Sequence, residues 1–356
     1  MSKKQQQIEL LMKQINKKQG DGTLVKASEV GVIGRFPTGS LALDVILGGG
    51  WPANQWHEIV GEYSSGKTTL AYHTVAACQK ADPEHMTLWI AAEEFVGQFA
   101  DDAGIDRSRV VLYENNIMED VYELMLTAAE SRNFDLVVLD SLPALVPATE
   151  DEKLVEESTV GRGALITNKF FRKAGAATKR SMVDSADPPF LGLIINQWRM
   201  KIGVMYGDPR TTPGGLGKDF AFFTRVDVRR AGWLESGTGD AKVKVGQEIR
   251  FRTIKNKSAP PERVAAVDFY FAPADGHAAG TFDTAKEIFA LGIYYGIIKR
   301  GGAYYSYGDI RIMGKDAMLA ELRSDLTLSD MLAKEVLSVS GAMRGPVTLE
   351  EESDED

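Results

Sequence analysis

The chain reads as an α/β protein: a largely parallel sheet covered by helices on both faces, preceded by one helix and followed by a small α+β unit. Three observations predict this. From about Gly34, apolar runs at 58–60, 87–91, 110–112, 136–139 and 191–195 alternate with helical segments. A glycine-rich loop, residues 61–69, sits between the first of these runs and the helical stretch beginning Leu70-Ala71-Tyr72. Beyond it, residues 222–228, 243–254 and 264–271 read as strands, and the turn-rich stretch 232–246 predicts an antiparallel extension of the sheet.

Ahead of this core, Ile8, Leu11, Met12 and Ile15 repeat at helical spacing, and Gly20-Asp21-Gly22 ends the helix. Its apolar stripe packs either on its own domain or on a neighbouring subunit. After Ala272-Pro273-Ala274-Asp275-Gly276 the composition shifts, and residues 280–341 read as a small unit of helices and strands. Four segments are therefore expected: an N-terminal helix and linker for subunit packing (1–33), a core (34–271), a small C-terminal domain (272–345) and an acidic disordered tail (346–356).

The composition narrows the function classes. Hydrophobic residues at 44% and charged ones at 26% of 356 describe a soluble globular chain. No apolar run approaches the roughly 18 residues of a membrane span, and the start lacks a signal-peptide core. One cysteine, Cys78, makes no internal disulfide, which fits a reducing cytoplasm. His57, His73, His85 and His277 show no metal-ligand spacing. The net charge of −9 is concentrated in the tail, where residues 346–356 carry six acids and no base. Such a tail is compatible with a DNA-binding protein whose own acids compete for its basic surface.

The loop Gly61-Glu62-Tyr63-Ser64-Ser65-Gly66-Lys67-Thr68-Thr69 fits the phosphate-binding pattern Gly-x-x-x-x-Gly-Lys-Ser/Thr in full. Its glycines let backbone N–H groups face a phosphate, and the helix N-terminus adds partial positive charge. Lys67 supplies a cation for the β- and γ-phosphates, and the Thr68 hydroxyl suits Mg²⁺. ATP with Mg²⁺ is the ligand this predicts. Asp140, ending the run Leu136–Leu139, is the expected carboxylate facing that metal. Glu93 follows the run 87–92 on the same sheet edge, placed to deprotonate an attacking water, with Glu94 as the competing candidate.

A fourth strand ends in Asn196-Gln197, and the segment 198–218 then carries five glycines and four basic residues beside apolar side chains. It is too glycine-rich for a core element and long for a connection. Backbone N–H groups, cations and insertable apolar groups suit a mobile loop that grips a phosphate backbone and separates bases. Gln197 stands where this loop meets the nucleotide edge, placed to report the γ-phosphate.

Together these residues resemble the RecA family of ATP-dependent DNA strand-exchange recombinases. The resemblance is carried in order by residues 38–44 (Thr-Gly-Ser-Leu-Ala-Leu-Asp), the phosphate loop, Asp140-Ser141, Asn196-Gln197-x-Arg199-Met200-Lys201-Ile202-Gly203-Val204-Met205, Lys255-Asn256-Lys257 and Tyr305-Ser306-Tyr307. It spans nearly the whole chain. It implies a RecA-type P-loop ATPase core that forms a helical filament on single-stranded DNA, pairs it with homologous double-stranded DNA and serves recombination, repair and the SOS response. Single-strand-binding or loader proteins are implied accessory partners.

The resemblance also implies roles by position. Glu93 is the hydrolytic base and Gln197 the γ-phosphate sensor. Phe99 stands where the family's adenine-stacking tyrosine falls. The first DNA loop is about 152–162, ending at Arg162, with Arg172 in the helix after it. The second runs about 198–218, including Arg199, Met200, Lys201, Ile202, Gly203, Arg210, Gly214, Gly215 and Lys218, with Phe220 at its far end serving subunit contact. Lys255 and Lys257 reach the neighbouring subunit's ATP. Departures include Ala91 in place of an acid, Asp219 near a usual lysine with Lys218 as its substitute, and acidic residues 150–152, 156 and 157 around the first loop. These mark a divergent member, and a phage origin accommodates them. A ring-forming DNA helicase and an ATP-gated DNA-coating protein are the alternative readings.

Overall fold

A computed structural model describes residues 2–19, 24–29, 33–151, 161–181, 189–201, 203, 207 and 209–341. Among them, nine strands form the main sheet. Their order across it is Thr281–Phe282, Val264–Tyr270, Val243–Asn256, Thr224–Ser236, Gln55–Gly61, Leu191–Gln197, Leu136–Asp140, Thr87–Ala91 and Val110–Tyr113. The strands from Thr224–Ser236 onward run parallel. The first three are antiparallel to their neighbours.

The expected antiparallel extension is present: Thr224–Ser236 and Val243–Asn256 form a hairpin across the turn-rich stretch, and Val264–Tyr270 adds to it antiparallel. Thr224–Ser236 lies parallel to the phosphate-loop strand, with Thr224 opposite His57. A parallel neighbour needs a long crossover, which the segment after Gln197 supplies; the tight turn before Val243 allows only a hairpin.

Both faces of the sheet are covered. On one, Leu70, Tyr72 and Val75 of helix Lys67–Ala81 pack with Trp51, Trp89 and Ile249. On the other, Val121 and Met125 of helix Met118–Ser131 pack with Phe170 and Phe171 of helix Arg162–Ser181. Burial on both faces explains why strands such as Leu136–Asp140 read as unbroken apolar runs.

The C-terminal unit comprises helices Thr284–Tyr294, Lys315–Ser324 and Leu326–Val339 around an antiparallel sheet of Lys299–Gly301, Tyr304–Tyr307 and Ile310–Met313. Its core of Ile288, Phe289, Met318, Leu322, Leu332 and Val336 closes over Leu41 and Val45 of helix Leu41–Leu47. The joint also carries polar contacts: Lys286 Nζ donates to Asp268 Oδ2. Glu287 accepts from Ser40 Oγ and the Ala42 N–H, each at 2.7 Å, and burial pushes its carboxyl up to about 8.

The N-terminal helix Lys3–Gln19 leaves Ile8 46% and Leu11 53% exposed, so its apolar stripe is not buried within this chain. Among the described residues, no helix is long and apolar enough to cross a membrane. The acidic tail, residues 346–356, lies outside the described residues.

Candidate nucleotide cleft and nucleic-acid loop

The strand Gln55–Gly61 delivers the chain into the phosphate loop, which turns through Ser64 (φ 53°) and Gly66 (φ 96°) before helix Lys67–Ala81 begins. Gly61 is required by close approach to backbone, Gly66 chiefly by its left-handed conformation. A Cβ on Gly61 would lie 2.3 Å from the Val228 carbonyl oxygen and 2.5 Å from Ser65 Oγ; on Gly66 it would lie 2.7 Å from Ile249 Cδ1.

Inside the loop, Lys67 Nζ donates to the Glu62 carbonyl at 2.7 Å. Burial lowers the Lys67 pKa, opposed by the nearby Asp140 and Glu93 carboxylates. Thr68 Oγ1 donates to Asp140 Oδ2 at 2.9 Å. Burial, together with Glu93, pushes the Asp140 carboxyl up to about 6 against the Thr68 hydrogen bond. Among the described residues, Asp140 Oδ1 and Ser65 Oγ are buried without a hydrogen-bond partner. An orphaned carboxylate oxygen beside a threonine hydroxyl is a donor set that suits a hard divalent cation. Among the described residues, no group of three or more His, Cys, Asp and Glu gathers as a metal site. Two protein ligands suit Mg²⁺, which keeps several waters and phosphate oxygens.

Glu93 stands beside this pair because Ala91 and Asp140 are cross-strand partners and the Glu93 N–H donates to the Asp140 carbonyl at 2.8 Å. Its carboxylate accepts from Ser141 Oγ. Glu93 and Glu94 both line the same cavity of about 560 Å³, together with Tyr63, Ser64, Ser65, Gly66, Lys67, Thr68, Thr69, Phe99, Asp140 and Gln197. Phe99 is 61% exposed at its edge. Gly61 and Glu62 belong to the loop without lining the cavity.

The cavity has a further wall that sequence reasoning missed: Phe269, Phe271, Gln247, His73 and Gly280. His73 stacks on Phe282 at 3.8 Å between ring centroids, and burial lowers its pKa to about 4. The available signal was alternation, which puts Phe269 and Phe271 on one face of their strand.

Gln197 pairs with Gly61 across the sheet, so the strand ends at the phosphate loop. Beyond it, Arg199–Met200 and Arg210–Thr211 form a short antiparallel ribbon that brings the two arms of the glycine-rich segment together. Arg199, Met200, Lys201 and Gly203 are exposed. Arg210 turns inward, 4.9 Å from the Trp198 ring and 3.7 Å from Asp227. Ile202 lies outside the described residues, as does 152–160 of the first expected loop. Arg162 and Arg172 are exposed on helix Arg162–Ser181.

Gly214 and Gly215 pack rather than project. Their Cβ positions would fall 2.9 Å from Lys218 Cδ and 3.1 Å from Ala164 Cβ. Lys218 itself corrects an expectation. Its side chain is fully buried, donating to Thr212 Oγ1 and to Asp219 Oδ1 at 2.5 Å, with Glu58 Oε1 at 3.6 Å. It offers no surface cation to DNA. A lysine in a glycine-rich loop reads as solvent-facing because one of the two acids it meets, the buried Glu58, lies far back in the chain.

Lys255 and Lys257 sit outside the cavity lining. Lys255 Nζ donates to the carbonyls of Asp219 (2.6 Å) and Phe220 (3.0 Å), and Lys257 Nζ to that of Phe220 (3.3 Å). Both therefore serve the carbonyl end of helix Leu216–Ala221. Burial, with Lys257 and Arg225 nearby, lowers Lys255 to about 8. Phe220 is 79% exposed.

A phosphate loop, a carboxylate closing the next parallel strand but one and a glutamate beside it define the class: a P-loop nucleotide-binding core. The particular family follows from the whole chain. The RecA N-terminal domain matches residues 6–275, and the chain belongs to the RecA family. It is 35% identical over 316 residues to Protein RecA of Oceanobacillus iheyensis, covering 88% of this chain and 85% of the relative. Over 359 residues it is 34% identical to Protein RecA of Nautilia profundicola, covering 99% and 97%. Protein RecA of Aquifex pyrophilus is 33% identical over 349 residues, covering 97% and 94%. As a member of this family, the chain is a nucleotide-binding, DNA-dependent ATPase of homologous recombination that binds DNA and forms filaments.

Proposed function

We propose that the chain polymerises on single-stranded DNA with ATP and Mg²⁺, pairs that strand with a homologous duplex and exchanges strands. The observation that carries the reading is Gln197: it lines the nucleotide cavity and is followed at once by the exposed Arg199–Lys201 arm. One strand end serves both ligands.

Lys67 neutralises the β- and γ-phosphates. Thr68 and Asp140 hold Mg²⁺, which supplies charge neutralisation at the phosphate oxygens. Glu93 orients and deprotonates the attacking water, held by Ser141. Phe99 stacks on the base. Arg162, Arg172, Arg199, Met200, Lys201, Ile202 and Gly203 form the DNA surface, with Arg210, Gly214 and Gly215 at its root. Lys255 and Lys257 act on the neighbouring subunit's nucleotide, and Phe220 enters that subunit contact. Their donation to the Asp219 and Phe220 carbonyls supports coupling between them. Residues 1–33 serve subunit packing, 34–271 catalysis and DNA, 272–345 a separate domain, and 346–356 a charged tail. The site of action is the cytoplasm, with single-strand-binding or loader proteins as accessories.

Strand exchange needs little net energy because old and new duplexes have nearly equal stability, so ATP acts as interface glue and switch. Incubation with single-stranded DNA and either a homologous or a heterologous duplex tests the proposal. Joint products only with the homologous duplex, and open helical filaments by electron microscopy, are expected. Closed hexamers would indicate a helicase, and filaments without exchange a coating protein. A mixture of Lys67→Ala and Lys255→Ala proteins should regain some ATPase activity; no recovery would count against the action of Lys255 across the subunit interface.

A further inference from the structure

We propose that Glu58 and Lys218 are positioning residues that tie the far root of the glycine-rich loop to the phosphate-loop strand, so that nucleotide occupancy sets the loop's grip on DNA. The inference rests on the ATP-dependent DNA binding proposed above.

Glu58 lies three residues before Gly61 and is completely buried. Among the described residues, three groups converge on its carboxylate. Arg225 Nε lies at 2.5 Å, Asn196 Nδ2 at 2.7 Å and Lys218 Nζ at 3.6 Å. Each arrives from a different element. Arg225 is the cross-strand partner of Glu58, Asn196 comes from the strand on the opposite side, and Lys218 returns from the loop.

The contacts continue in both directions. Asn196 Oδ1 accepts from the Gln197 N–H at 2.9 Å, while its Nδ2 also reaches the Pro213 carbonyl at 3.4 Å. Lys218 Nζ donates to Thr212 Oγ1, and Asp219 balances it against Arg225 at 3.3 Å. A continuous polar path thus joins the phosphate-loop strand, the residue at the cavity and residues 212–218 at the loop's root. The loop backbone is packed directly onto this path, since a Cβ on Gly214 would meet Lys218 Cδ at 2.9 Å.

Burying a cation here costs desolvation that an apolar side chain of similar volume would avoid. What the cation adds is register: it meets Glu58 in a single arrangement, and the loop root follows. Because the elements are close-packed, a small shift at the phosphate-loop strand passes to Thr212–Gly215 as a discrete movement rather than dissipating.

The test compares Lys218→Met, Glu58→Gln and the double variant with the parent. Affinity for labelled single-stranded oligonucleotide is measured by anisotropy with a non-hydrolysable ATP analogue and without nucleotide; analogue affinity and thermal melting are measured in parallel. The expected result is near-parental analogue affinity in Glu58→Gln, with the ratio of the two DNA affinities reduced roughly five- to a hundredfold. Lys218→Met should give the same loss, and the double variant no more than either single, because both act in one link. If Lys218→Met does not fold, the near-isosteric Glu58→Gln carries the test. An unchanged ratio, or equal losses with and without nucleotide as a scaffold or direct contact would give, overturns the inference. A parent whose DNA affinity ignores nucleotide overturns the underlying functional reading instead.

Discussion

The phosphate loop, residues 61–69, and the glycine-rich segment 198–218 leave the carboxyl ends of adjacent strands, joined where Gly61 pairs with Gln197. Both are rich in glycine, for different reasons. At Gly61 an added Cβ would strike a backbone carbonyl at 2.3 Å, so glycine there is a packing requirement. At Gly203 and Gly207, with φ of 84° and 82°, an added Cβ would meet nothing within 4 Å among the described residues. There, glycine supplies a left-handed backbone. The second segment is itself divided, because Gly214, Gly215 and Gly217 return to close packing. A site that must hold one phosphate geometry is built of enforced glycines; a surface that must fit a polymer has an enforced root and an open tip.

The largest break in this comparison should come from Lys67→Ala. Removing the cation from the enforced loop should weaken nucleotide binding on the order of 100-fold or more, about 3 kcal/mol, in a calorimetric titration. DNA binding that depends on nucleotide should fall with it. Unaltered nucleotide affinity would mean that the loop backbone alone holds the phosphates.

Glu93→Gln should separate binding from turnover. Hydrolysis is expected to drop by about 10²–10⁴ while nucleotide affinity and filament formation persist. Parental turnover in a steady-state assay would move the base role to Glu94.

The two kinds of glycine can be weighed directly by denaturant unfolding. Gly61→Ala should destabilise by about 1–3 kcal/mol or more, since the carbonyl it meets belongs to a packed strand. Gly203→Ala should cost about 1 kcal/mol, the penalty of a left-handed L-residue without a clash. Equal costs would erase the distinction drawn here.

A smaller effect should appear with pH. The Asp140 carboxyl is raised to about 6, chiefly by burial. In the metal-free fold this favours the proton, so its contribution to stability is present at low pH and is lost as pH rises through about 6. Mg²⁺ binding needs the carboxylate and should run the opposite way. Mg²⁺-dependent nucleotide affinity should weaken by up to about tenfold per pH unit below 6. Asp140→Asn should abolish that dependence, whereas nucleotide-free DNA binding should not follow it. Coincident pH profiles for the two ligands would count against separate sites.

Much of the nucleotide half was legible in the chain. The phosphate loop, Asp140 and Glu93 each follow an apolar run, and parallel strands place such positions on one sheet edge whichever order the strands take. The fold class followed from the same alternation. That strand 224–236 also lies parallel to the phosphate-loop strand was not legible, because periodicity reports which face is buried, not which neighbour is chosen.

The loop half was legible only in part. Arg199, Met200 and Lys201 are exposed as their setting implied, but Lys218 turned inward to an acid 160 positions earlier. Glu58 falls in a run read only as strand, and nothing in the sequence assigns Phe269, Phe271 and His73 to the cleft that the antiparallel extension folds beside. By itself the sequence determined the local backbone: where strands end, where a loop must curl, which residue types meet a phosphate. The tertiary structure alone decided which distant groups share a dielectric. Burial converts a surface-looking lysine into an internal counter-ion only when strand order brings a carboxylate within reach, and strand order is a property of the whole chain.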